Sequence, residues 1–352
     1  MRALLVVLGL LCLPCMADDF APLVVEKKIA LPGVNGRIDH LAVDASRQRL
    51  YVAALGNNTL EIIDLAAGKR GSSTKGFNEP QGVAIMPGTG AVYVANGGDG
   101  SLHILPQTEP TSAQVIKLGD EADNVRIDSS QHLVYVGYGR GALAVIDPGT
   151  HRNIADIPLK GHPESFQLDR VGSRVFVNVP DAGEIAVLDR ATRKQIASWP
   201  TGDLRANFAM ALDEDHQQLL VSFRRPAMLA AFSIATGKEL ARVQSCSDAD
   251  DLFVDAKRER AYLSCGEGFV DVFSMHEKAY SHESRLQTVP GARTALFSRD
   301  LDRLFVAAPA HGSQSAAIWV CAQRNDASEA RWQLACIVVR ISHRVHLGLS
   351  PL

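Results

Sequence analysis

One short apolar phrase returns seven times along this chain, each time 41 to 44 residues after the last. It begins as Tyr51-Val52-Ala53-Ala54, Tyr93-Val94-Ala95-Asn96 and Tyr135-Val136-Gly137-Tyr138. It continues through Phe176-Val177-Asn178-Val179, Leu220-Val221-Ser222-Phe223 and Tyr262-Leu263-Ser264-Cys265 to Phe305-Val306-Ala307-Ala308. A unit of about forty residues built from strand-like segments is the size of one four-stranded sheet, which cannot bury its faces alone and must stack on its neighbours. Seven such units imply an all-β chain folded as a seven-bladed β-propeller, one blade per repeat.

Aligned on that phrase, the repeats share a grammar. About seven residues earlier stands an acidic turn residue in five of them: Asp44, Asp128, Asp169, Asp213 and Asp255. Before it runs a short alternating strand such as Leu41-Ala42-Val43 or Leu252-Phe253-Val254, and after the phrase comes a Gly/Asn-rich hairpin loop such as Gly56-Asn57-Asn58. A third strand follows, as in Leu143-Ala144-Val145-Ile146-Asp147, and then a turn into a fourth. The seventh repeat ends after its third strand at Val320, while residues 23–31 form a spare strand ahead of blade one. Pairing the two closes the ring and covers two edges that would otherwise invite aggregation.

The two ends break the pattern. Residues 1–17 combine Arg2, an apolar run from Ala3 to Leu13 and a small-residue boundary at Ala17, which is the layout of a secretory signal peptide and is too short to span a bilayer. No other stretch is apolar and long enough for a membrane anchor, so the expected mature protein is secreted. Residues 18–320 are assigned to the propeller. Residues 321–352 hold no blade phrase and are expected to form a poorly ordered tail, or to reflect an altered reading frame near Val320.

The phrase Tyr93-Val94-Ala95-Asn96 resembles the YVTN repeat of bacterial secreted seven-bladed propellers, and the resemblance spans roughly residues 20 to 320. It implies the fold and, in a bacterium, a periplasmic location. It leaves the activity open, because related propellers include lactonases, surface-layer modules and large subunits of redox enzymes.

Outside the leader, four cysteines remain. Cys246 precedes the first strand of blade six and Cys265 ends the second, so one down-and-up excursion returns the chain to the same level. A Cys246–Cys265 disulfide is the expectation in an oxidising compartment. Cys321 and Cys336 fall in the tail. No Cys-x-x-Cys-His, Gly-x-Ser-x-Gly or His-Glu-x-x-His sequence occurs, so no covalent haem, hydrolase elbow or zincin site is expected. The formal charge of −3, with no basic stripe, argues against a nucleic-acid partner.

The loops that lead into each blade gather around the central channel on one face. Eleven and twelve residues before each phrase stand Asp39-His40, Gln81-Gly82, Asp123-Asn124, Glu164-Ser165, Phe208-Ala209, Asp250-Asp251 and Arg293-Thr294, with Asn207 one position earlier in blade five. Equivalent slots in seven blades form a ring. Asp39, His40, Gln81, Asp123, Asn124, Glu164, Asn207, Asp250, Asp251 and Arg293 are therefore the candidate ligand-binding residues. Asp248, Asp250 and Asp251 repel one another unless Arg293, a Ca²⁺ ion or a cationic ligand group compensates them. His40 beside Asp39 is weighed as a general base, against the rule that neighbouring side chains on a strand point apart. Arg140, Arg224 and Arg225 add positive charge to the rim, and His311 sits in the hairpin of blade seven.

The resulting expectation is a monomeric binding or scaffold module that recognises a protein or a small polar ligand at this mouth, with no resident cofactor. The competing class is a metal-dependent, lactonase-like hydrolase using Glu164, Asn124, Asn207 and Asp251 around a divalent cation. A large subunit of a redox complex is the third.

Overall fold

The structure, a computed structural model, describes residues 22–107, 113–275 and 280–324. The expected leader and the tail beyond Arg324 lie outside the described residues. The chain divides into two compact units, of which Leu23–Gln323 carries every sheet. Of the other unit only Pro22 and Arg324 are described, and the Arg324 N–H donates to the Pro22 carbonyl at 2.9 Å.

Leu23–Gln323 forms seven four-stranded antiparallel sheets, the blades of a propeller. Blade one runs Leu41–Asp44, Arg49–Ala54, Thr59–Asp64 and Lys69–Lys75, and each blade uses four strands in chain order except the last. There the outer strand is the N-terminal Leu23–Ala30, paired with Ala317–Gln323 in a register that sets Ala30 against Ala317 and Leu23 against Gln323. Closure by the expected strand is thus observed. The final strand runs three residues past Val320, and Cys321, expected in the tail, is fully buried in blade seven. Among the described residues the only helical turns are Leu55–Asn57 and Pro180–Ala182, and no helix is long and apolar enough to cross a membrane.

The packing explains the phrase. Successive strand residues face opposite sides of a sheet, so its first two positions bury against different neighbours. Tyr51 packs with Val83 and Val94 of blade two, Tyr93 with Val125 and Val136 of blade three, and Tyr135 with Phe166 and Val177 of blade four. Val52 turns the other way, into the cluster where Phe305 of blade seven meets Leu41 and Leu50 of blade one. Each such side chain removed from water contributes roughly 1.5–3 kcal/mol. The third position is small because blades approach closely there: a Cβ on Gly137 would lie 3.1 Å from Pro163 Cγ of the next blade.

The acidic position caps the turn between the first two strands. Asp44 accepts the Arg47 N–H at 3.0 Å, Asp128 that of Ser130 at 3.0 Å and Asp169 that of Gly172 at 3.1 Å. The same turns in blades one, three, five, six and seven pass one non-glycine residue through the left-handed region: Gln48, His132, Gln217, Glu259 and Asp302. A side chain that mimics a backbone turn acceptor is what such a corner requires.

Candidate functional site

The ends of the innermost strands and the loops before them place charged side chains around the axis, and these meet across it. Arg37 of blade one bonds to Asp39 at 2.7 Å and reaches Asp250 of blade six at 3.6 Å. His40 holds Asp251 of blade six at 3.3 Å through Nδ1, with Asp39 at 3.7 Å and Asp123 of blade three at 3.9 Å from Nε2. Blades one, three and six are not neighbours, so these contacts exist only because the side chains converge on the channel. Asp39 and His40 precede the strand that starts at Leu41, and the alternation of side-chain directions does not hold them apart.

The acidic run of blade six is compensated by cations. Arg293 bonds Asp248 at 2.8 Å, and Arg224 bonds Asp250 at 2.8 Å and Asp248 at 3.4 Å while donating to the Ala249 carbonyl. The Arg224 guanidinium also lies 3.6 Å from the centre of the Phe208 ring, a cation–π contact that fixes both. Asp251 accepts the Ala295 N–H at 2.9 Å in addition to His40. Among the described residues no three His, Cys, Asp or Glu side chains form a group that would hold a metal ion.

Two cavities open from this cluster. The inner one, about 90 Å³, is bordered by Arg37, His40, Gln81, Asp123, Asn124, Glu164 and others, with Arg224, Asp250 and Arg293 completing one wall. The outer one, about 320 Å³, is bordered by Pro180, Asp181, Arg205 and Arg225. His162, Glu164 and Phe208 border both, so the small chamber and the larger vestibule share a wall. Gly82, next to Gln81 in the chain, is required for a steric reason: a Cβ there would fall 2.1 Å from the Asp123 carbonyl oxygen.

Charge in a space this enclosed shifts proton affinities. Burial works against a charged His40, but the carboxylates of Asp251, Asp39 and Asp123 outweigh it and raise its pKa to about 10. Burial raises Glu164 to about 9, helped by repulsion from Asp123 and Asp250 and against the pull of Arg224. Burial likewise lifts Asp250 to about 7 against the pull of Arg224, and raises Asp123 against that of His40. Arg126 projects from the middle of the blade-three inner strand, where burial lowers its pKa despite Asp251 and Asp123 nearby.

Of the sequence candidates, His40, Gln81, Asp123, Asn124, Glu164, Asp250 and Arg293 border the inner chamber. Asp39 and Asp251 do not border it; they hold the Arg37 and His40 side chains that do. Asn207 is a structural strut: its Nδ2 donates to Asn178 Oδ1 and to the Glu184 carbonyl, each at 3.0 Å, and it touches neither cavity. Position eleven to twelve before the phrase marks the ring, and position thirteen has already turned into the gap between blades. Arg140 and His311 are exposed and border neither cavity. Sequence reasoning missed Arg37, Glu121, Arg126 and His162. Arg126 carried a legible signal, a charge in the middle of an innermost strand, whereas Arg37 reaches the ring from outside the aligned slots. The expected disulfide is present, with Cys246 and Cys265 Cα atoms 5.9 Å apart, and it ties the loop carrying Asp248 to the end of its neighbouring strand.

No family model matches the chain, and no curated protein matches it. Solved structures do. A chain of Kuenenia stuttgartiensis hydrazine synthase superposes with a TM-score of 0.71 at 16% identity, covering 79% of this chain and 96% of that one. A chain of a mitotic checkpoint complex superposes with a TM-score of 0.72 at 14% identity, covering 92% and 99%. At such identities the likeness extends to the fold: this chain is a seven-bladed β-propeller.

Proposed function

We propose that the protein is a binding module that recognises a small polar ligand, or a polar group of a partner protein, at the lead-in-loop mouth of its channel. The observation that carries this reading is the convergence of side chains from non-adjacent blades on one chamber that shares a wall with a larger vestibule. A propeller needs no charges on its axis to fold, since its stability comes from the apolar clusters between blades. Buried charge is costly, and a cluster kept in place by cross-channel pairs is an arrangement suited to recognition. The Cys246–Cys265 bond and the leader-like first seventeen residues support work outside the cytoplasm. The hydrolase reading loses two of its four residues, because Asp251 is spent on His40 and the Ala295 N–H and Asn207 borders neither cavity.

Thermal-shift screening of small polar ligands against the wild type and Phe208→Ala tests the reading. Phe208 borders both cavities, and truncating it unseats Arg224. Ligands that raise the wild-type melting temperature are expected to lose most of that shift in the variant. If every ligand found stabilises both proteins equally, the mouth is not the binding site.

A further inference from the structure

Glu164 stands apart from the aspartates clustered around the chamber. Asp39, Asp248, Asp250 and Asp251 each lie within 4 Å of an arginine or histidine nitrogen, and Asp123 within 3.9 Å of His40. Among the described residues the Glu164 carboxyl has no hydrogen bond and no ion pair, although it borders both the chamber and the vestibule. Asn124 is only 2% exposed and borders the chamber; its Nδ2 points to Asp123 at 3.4 Å, and its Oδ1 is buried without any hydrogen-bond partner. A buried acceptor left unmade costs about 1–3 kcal/mol, so a site that retains one is built for a donor. Asp250 Oδ2, which also borders the chamber, lacks a hydrogen bond too, with Arg37 at 3.6 Å.

These acceptors define their complement. The cations on the chamber wall, Arg37, His40, Arg224 and Arg293, are each already paired with Asp39, Asp251, Asp250 or Asp248, whereas the Glu164 carboxyl and Asn124 Oδ1 are left for an arriving donor. The inner chamber of about 90 Å³ has room for roughly three water-sized groups, which is the tip of an alkyl ammonium rather than a ring. An ammonium carries three donors spread tetrahedrally and accepts nothing, which matches acceptors arriving from different blades. The vestibule of about 320 Å³ then holds the chain that bears it.

Resting on the binding reading above, we propose that the chamber takes a primary ammonium group, accepted by Glu164 and Asn124 Oδ1, with the rest of the ligand in the vestibule. Two sources supply that chemistry, a free amine and a lysine side chain of a partner. Because burial keeps the empty Glu164 carboxyl protonated to about pH 9, arrival of a cation expels its proton. Binding near pH 7 is therefore coupled to release of a proton.

Isothermal titration at pH 7, in two buffers of different ionisation heat, tests the proposal with Nα-acetyl-lysine N-methylamide, its norleucine isostere, n-propylamine and propionate. Both amines should bind at least tenfold more tightly than the isostere and propionate, with heats that differ between the buffers. Propylamine matching the lysine amide identifies a free amine as ligand; a tighter lysine amide identifies a lysine-bearing partner. Glu164→Gln should weaken amine binding at least tenfold and reduce the buffer dependence. Asn124→Val should weaken it as well, and Arg140→Ala, outside both cavities, should not. Norleucine binding as well as lysine, or amine binding indifferent to Glu164→Gln, overturns the ammonium assignment. Propionate binding that is lost in Phe208→Ala overturns it too while leaving the mouth a binding site; binding of none of the four overturns it, and the binding reading then stands or falls on the thermal-shift screen.

Discussion

The innermost strand of blade three, Ala122–Asp128, carries an aspartate near each end, and the two live under opposite chemistry. Asp128 closes a turn on the far face. Burial there is outweighed by Ser130, Arg190 and the Gln131 N–H, and its pKa is held below the usual carboxylate range. Asp123, five residues away at the mouth, has no backbone N–H partner among the described residues, and burial drives its pKa up. The contrast extends around the ring: Asp44 and Asp169 are lowered at turns, while Glu164 and Asp250 are raised at the mouth. One residue type thus serves two ends of the same strands, as a structural cap where donors are supplied and as a poised charge where they are withheld.

The largest effect expected from breaking this comparison lies at the turns. Arg190 is 6% exposed, bonds Asp128 at 2.6 Å and donates to the carbonyls of Asp169 and Gly172, joining the turns of blades three and four. Arg190→Met strands a buried carboxylate and should cost about 3–5 kcal/mol in urea denaturation. The loss should be nearly the same at pH 6 and pH 9, because Asp128 stays ionised throughout. A loss that shrinks sharply at pH 6 would mean that the turn acids titrate like those at the mouth.

The next effect sharpens the other side. Cys246 and Cys265 are 19 residues apart, and closing a loop of that size contributes about 3 kcal/mol in the chain-entropy model. The Cys246 N–H also donates to Asp271 at 2.7 Å, so the bridge anchors the segment that presents Asp248, Asp250 and Asp251. Reduction should therefore lower the melting temperature and loosen the mouth. Hydrogen exchange is the readout: protection should fall in residues 245–251 and remain unchanged at the Asp44 and Asp128 turns.

The two ends also differed in how far the sequence disclosed them. The turn acids were legible because one repeat position does one local job, capping a corner within three or four residues of itself. The seven blades, the closing strand and the disulfide were legible for the same reason, being consequences of period and alternation. The mouth was legible only in part. A ring of equivalent slots located His40, Asp123, Asn124, Glu164 and Asp250, but who pairs with whom depends on side chains crossing the channel between blades far apart in sequence. Arg37 and His162 belong to no repeated slot, and Asn207 looked equivalent to its neighbours while one residue of offset buried it between blades. Repetition reveals what each blade does for itself and hides what the blades do jointly.

The pH dependence carries the sharpest sign. Glu164 is raised from 4.5 to about 9, so between those pH values the folded protein keeps a proton that the unfolded chain has released. Stability then falls as pH rises through that window. His40 pushes the same way: raised from 6.5 to about 10, it stabilises fully below pH 6.5 and loses that contribution as pH climbs toward 10. The lowered turn acids act oppositely, their contribution being lost only as the solution becomes strongly acidic. The unliganded protein should therefore be most stable in mild acid, near about pH 5, and weaken steadily toward pH 9. Glu164→Gln replaces the carboxyl with a neutral group of the same shape, so it should stabilise the protein at pH 8 and leave it unchanged at pH 4. Urea denaturation at the two pH values measures the difference. A variant weaker than the wild type at pH 8 would mean that Glu164 is ionised and paired in the folded state, and the distinction between cap and mouth would then fail at the residue where it is drawn most sharply.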